Sequence, residues 1–176
     1  MLLDVARQSI ESGLRTGQPL VVDPDAYPPE LSERCATFVT LRRAGELRGC
    51  LGSLVPSRPL VGDVAHSAFK AAFRDSRFPP IEADELATLE IQLSILSPLE
   101  PLPAPDEQAL LVAIRPGVNG LVVRDGTRQG TFLPAVWESL PEPAAFWLEL
   151  KRKAGLPVDS WSSRWEIFRY TVESLP

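Results

Sequence analysis

The segment Leu47-Arg48-Gly49-Cys50-Leu51-Gly52 sets a guanidinium and a thiol two positions apart, with glycines beside them. In an extended strand, residues two apart share a face. Arg48 and Cys50 are therefore expected to project side by side, with Leu47 and Leu51 turned the other way toward a core. A cation beside a thiol favours the thiolate, which is the reactive form. Read this way, Cys50 is a candidate nucleophile or redox thiol, Arg48 is its activator, and Gly49 and Gly52 leave room around them for a ligand. The competing reading is a small buried strand residue, because free cysteine is among the most buried residue types.

Asp75-Ser76-Arg77-Phe78-Pro79-Pro80 is the second candidate. Opposite charges one residue apart, in a segment stiffened by two prolines, make a rigid polar corner where Arg77 could hold an anion bidentately. The same residues also suit a helix-ending loop in which Asp75 and Arg77 pair with neighbours. Glu90 falls on the polar side of an alternating strand. It is a general base if buried beside an arginine, and an ordinary solvated carboxylate otherwise. His66 is the only histidine, and with two separated cysteines it cannot make an ordinary zinc site. No metal or cofactor is expected. No phosphate-cradling loop, dinucleotide fingerprint or serine-hydrolase elbow is present.

These side chains must be positioned by a chain of 176 residues with a net charge of −5. That length suits one domain, or two lobes sharing a chain. The acidic balance argues against a nucleic-acid partner, which needs a basic surface. There is no long apolar stretch of the kind that leads a secreted protein or spans a membrane. With only Cys35 and Cys50, the expectation is a reduced, cytoplasmic protein.

Apolar residues at Leu3, Ala6, Ile10 and Leu14, followed by Gly17, predict a helix over 2–16. The alternating runs before Arg42 and after Glu46 predict a hairpin. A three-residue loop, Arg43-Ala44-Gly45, would put Gly45 in the left-handed position. That register pairs Thr40 with Arg48 and Phe38 with Cys50, and it keeps the apolar residues on one face. A two-residue loop would mix the faces. An alanine-rich helix over 58–74, with Ser57 as its cap, stops at the two prolines. A strand over 88–96, a short helix over 106–113, a hairpin around Asp125-Gly126, a helix over 144–154 and a last strand over 165–172 follow. Helices mixed with mainly antiparallel strands give an α+β fold.

Four segments in order resemble the AMMECR domain family, whose members are called AmmeMemoRadiSam system protein A. They are FVTLRRAGELRGCLG (38–52), AAFRDSRFPPI (71–81), LEIQLSILSPLEPL (89–102), and GVNGLVV with TFLPAVW (117–123 and 131–137). A KAGL segment at 153–156 follows. The resemblance implies a single domain over 1–176 with two unequal lobes, each an antiparallel sheet with flanking helices, and a cleft lined by the LRGC segment. It carries Arg48, Cys50, Asp75, Arg77 and Phe78 over as site positions. It implies an enzyme or pathway component acting on an unidentified small molecule, or else a non-catalytic scaffold, partnered by a Memo-like protein and a radical SAM enzyme. Asn119 stands where many relatives carry histidine.

Overall fold

The computed structural model describes all 176 residues. The elements run α1 (Leu2–Thr16), β1 (Ala36–Arg43), β2 (Glu46–Gly52), α2 (Leu60–Phe73), β3 (Leu89–Leu96), β4 (Glu100–Pro101), α3 (Glu107–Ala113), β5 (Gly120–Asp125), β6 (Arg128–Phe132), α4 (Pro143–Lys153), β7 (Glu166–Tyr170) and β8 (Val172–Leu175). The chain divides into two units, Met1–Leu96 with Glu173–Pro176, and Ser97–Val172. The fold is α+β, with one four-stranded sheet ordered β2-β1-β3-β8 and another ordered β4-β7-β5-β6.

In the first unit α1 and α2 supply the apolar cover for one sheet face. Val39, Leu41 and Leu93 from the strands and Val61, Val64 and Ala68 from α2 are all sealed from solvent. The alanines of α2 let its backbone approach closely. Gly13 of α1 does the same at the helix–helix crossing, where a Cβ would lie 2.2 Å from the Phe73 ring. Gly17 ends α1 in the left-handed conformation, as expected. Ser57 does not cap α2. Pro59 stands at the N-cap, and no side-chain cap bond forms.

In the second unit the core is aromatic. Trp137 stacks on Phe146 at 3.7 Å between ring centroids, and Trp147, Trp161 and Trp165 form a cluster at 6.0–6.2 Å. Lys151 is buried and donates to Glu107 and to the Val158 carbonyl. The Tyr170 hydroxyl lies against Thr131 and the Phe132 carbonyl, and burial pushes it up to about 12. The expected single strand over 165–172 is two strands. Thr171 separates β7 from β8, which belong to different sheets, and a change of sheet leaves no mark on alternation.

Candidate functional site

The β1–β2 hairpin differs from the expected register, and the difference decides the site. Arg43 pairs with Glu46 across a two-residue turn in which Ala44 and Gly45 both have positive φ (52° and 80°). Two left-handed residues match the twist of the flanking strands. The faces are not mixed, because the pairing then skips from Arg42↔Leu47 to Leu41↔Gly49, leaving Arg48 as an extra residue. This bulge shifts the alternation by one. Gly49 and Leu51 join Val39 and Leu41 on the helix side, while Cys50 lies opposite Thr40 on the other face. Leu47, expected in the core, is 38% exposed.

The bulge also sends Arg48 away from the thiol. Its Nε and Nη2 form a two-pronged pair with Glu85, each at 2.8 Å, and its remaining donors meet the Pro79 and Pro80 carbonyls. Glu85 further accepts from Arg43 and from the Glu82 N–H. The Arg48 hydrogen bonds hold the Glu85 carboxyl well below its ordinary value, at about 2. Arg48 is thus the clasp of a closed ion network, and the expected Arg48–Cys50 pair does not form.

Arg77 and Asp75 take the position beside Cys50. β2 is the edge strand, and its outward backbone groups need partners. Asp75 Oδ2 accepts from the Cys50 N–H at 2.9 Å, and Arg77 Nη2 donates to the Cys50 carbonyl at 3.2 Å. The two side chains are themselves joined in a fork, Nε to Oδ1 at 2.9 Å and Nη2 to Oδ2 at 2.7 Å. Together they cover one residue of the edge as a neighbouring strand would. Arg77 holds the Asp75 carboxyl down at about 2. Phe78 floors the arrangement, its ring centroid 5.4 Å from the Arg77 guanidinium carbon. Both readings of the polar corner therefore have a basis: Asp75 and Arg77 pair with each other and with backbone, yet Arg77 stays 55% exposed.

With both Cys50 backbone groups turned outward, Thr40↔Cys50 is the close, non-hydrogen-bonded kind of antiparallel pair. Thr40 Oγ1 accordingly lies 3.2 Å from Cys50 Sγ. Gln92 of β3 continues the row. Cys50 is half-buried and is not a disulfide partner of Cys35. The glycines do not leave room around the thiol. A Cβ on Gly49 would lie 2.2 Å from the Ala71 carbonyl, and one on Gly52 would lie 2.1 Å from the Thr37 carbonyl and 2.6 Å from the Phe38 ring. Glu90 is exposed and pairs with Arg42, one step along from the Gln92–Thr40–Cys50 row on the same sheet face, so it is a solvated carboxylate and not a buried base.

Either the hydroxyl or the thiol can donate in this contact, and when the hydroxyl donates to sulfur it fixes the direction of the reacting atom. Thr40→Val is expected to slow iodoacetamide alkylation of Cys50 about tenfold at neutral pH, since a hydrogen bond to a charged acceptor contributes about 1.5 kcal/mol. Thr40→Ser should restore it. Mass-spectrometric quantification of the Cys50 adduct is the measurement.

Sequence reasoning missed Thr40, Glu85 and Asp63. Asp63 was detectable, because it stands among Leu60 and Val64 on the apolar side of α2, where a carboxylate needs partners. It is 1% exposed and accepts from the Thr37 N–H and hydroxyl at 3.0 and 2.7 Å. Burial pushes its carboxyl up, and burial with Glu33 and Asp63 nearby pushes the Cys35 thiol up. Asn119 is buried and structural: its Oδ1 accepts from the Arg115 N–H and its carbonyl from the Trp137 indole.

The chain matches a family model described as AMMECR1 over residues 3–175. It is similar to a protein of Methanothermobacter thermautotrophicus, 35% identical over 178 residues that cover 98% of this chain and 90% of the relative. A Thermotoga maritima protein is 37% identical over 168 residues, covering 93% and 90%. Among solved structures, the crystal structure of the uncharacterized protein PH0010 from Pyrococcus horikoshii superposes with a TM-score of 0.89 at 35% identity. The match covers 98% of this chain and 88% of that one. No helix here is long and apolar enough to cross a membrane.

Proposed function

Since this chain belongs to the AMMECR1 family, we propose that it is an enzyme or enzyme-pathway component whose working group is the Cys50 thiol. The observation that carries this reading is a thiol held firmly without being sealed. Its backbone is clamped on one side by Asp75 and Arg77, and its sulfur meets the Thr40 hydroxyl on the face away from the helices. Anchoring of this kind fixes the direction of attack. Arg77, not Arg48, is the cation at the site, and its exposure lets it orient an anionic group on the substrate.

The test is competitive alkylation of the native protein. Cys50 is expected to react at least about tenfold faster than Cys35, whose thiol is disfavoured by burial and two carboxylates. Equal or slower labelling of Cys50 would remove the nucleophile. In a deletion strain, Cys50→Ser should then fail to restore the metabolite profile that the unaltered chain restores.

A second reading, ligand or partner binding without chemistry, draws on the same exposed Arg77. It is distinguished by a Cys50→Ser chain that restores function while Arg77→Ala does not. Under either reading we place the protein in the cytoplasm, beside a Memo-like protein and a radical SAM enzyme. Co-purification from native cells is the check, and it should be weakened by Arg77→Ala if the clamp faces the partner.

A further inference from the structure

The second unit contains a cavity of about 370 Å³ that the Cys50 site does not use. That volume lies in the range of small-molecule sites. Its walls come from two stretches of chain. One is the proline-rich run Pro101–Pro105, laid along β7 by the bond from the Leu102 N–H to the Ile167 carbonyl. The other carries Trp161, Trp165 and Phe168, with Glu166 among them. Prolines hold one wall stiff, and aromatic rings make the other.

We propose that this cavity binds a small organic cation, a tertiary or quaternary ammonium group. The rings provide the first reason. Trp161 and Trp165 meet edge to face at 6.0 Å and 62°, which makes an aromatic corner, and the faces of indoles attract cations. The cluster already holds a cation at its buried end, where Lys151 Nζ sits 5.8 Å from the Trp147 ring centroid. Exposure rises outward from Trp147, which is sealed, to Trp161, which is half-buried. The outer rings are the ones that line the cavity.

Charge provides the second reason. Glu166 is exposed and lines the same cavity. The basic residue opposite it on β5 is Arg124. Arg124 turns its guanidinium to the Gln129 side-chain oxygen at 2.7 Å and over the Phe168 ring at 5.0 Å. Glu166 is thereby left to counter a cation from outside. An anion would meet a carboxylate and the negative faces of the rings, and a neutral apolar ligand would gain nothing from Glu166.

The test compares choline with its uncharged isostere 3,3-dimethylbutan-1-ol, each titrated into the full chain. The readout is the indole N–H signals of Trp161 and Trp165 in a nitrogen-15 spectrum, assigned with Trp→Phe variants. Choline is expected to shift these signals saturably and to bind about fivefold more tightly than the alcohol, the margin that a cation–π contact of about 1 kcal/mol supplies. Glu166→Gln should weaken choline about threefold and leave the alcohol unchanged, as loss of one exposed charge contact predicts. Absence of saturation, equal binding of the two probes, or undiminished choline binding by Glu166→Gln would each overturn the proposal.

Discussion

Gly49→Ala is expected to destabilise the first unit by about 3 kcal/mol or more, the upper part of the range for overpacking a core. The added methyl would sit 2.2 Å from the Ala71 carbonyl oxygen and 3.2 Å from its carbon. Both are backbone atoms of α2, so no side-chain rotation relieves the clash. Either the helix lifts from the sheet or β2 bends outward. Lifting the helix opens the contact between α2 and the strands. Bending β2 drags Cys50 off the Asp75–Arg77 clamp. The same substitution at Gly62, inside α2, is the control. There a Cβ would have its nearest neighbour at 3.9 Å, Val22 Cγ2, and alanine should stabilise the helix by up to about 1 kcal/mol. Urea unfolding of the two variants should move the midpoint in opposite directions. Equal shifts would mean that the helix does not press on Gly49.

That contact explains why a glycine precedes the cysteine, and it reverses the reason suggested by the bare sequence. Glycine is needed there for the approach of a helix, not for the entry of a ligand. The contrast marks the boundary of what pattern alone can tell. The extent of α1 follows from apolar spacing and Gly17, β3 from its strict alternation, and α4 from Gly155, because each is specified by residues within the element or directly after it. Two polar residues of the candidate site were also legible as a pair, since Asp75 and Arg77 are neighbours in the chain. The partners that assign their roles come from afar. Glu85 reaches Arg48 across 37 positions, and Asp75 reaches the Cys50 backbone across 25. Nothing local signals the bulge at Arg48 either. Left-handed Ala44 is unusual for a residue with a Cβ, and alternation through the hairpin suits a regular ladder equally well until one residue is spared. The cost of that one residue was the whole orientation of the guanidinium.

Breaking the Arg48–Glu85 pair is expected to cost about 3–5 kcal/mol, the usual consequence of stranding one member of a buried ion pair. The Glu85 side chain is 8% exposed and accepts from Arg48, Arg43 and the Glu82 N–H. Glu85→Gln keeps the shape but leaves Arg48 without its counter-ion. Arg48→Met leaves the carboxylate with the more exposed Arg43 and the Glu82 N–H as its donors. The double variant Arg48→Met, Glu85→Leu should lose less than the two single losses summed, because neither charge is then stranded. Acid provides an independent reading. The folded Glu85 carboxyl lies at about 2, below its ordinary 4.5, and Asp75 lies at about 2, below 3.8. Both are held charged more tightly in the folded protein than in the unfolded one. Their contribution is complete above about pH 4.5, where it amounts to about 3 kcal/mol for Glu85, and it disappears as pH falls toward about 2. Glu85→Gln should flatten the dependence of the urea midpoint on pH across that interval by about one proton. The thiol distinguishes this clasp from an activating arginine. Arg48→Met, assayed well below its own melting temperature, should alkylate at Cys50 within about twofold of the unaltered chain, because the guanidinium it lacks points to Glu85 and not to sulfur. A large loss of labelling in a variant that is still folded would return Arg48 to the thiol.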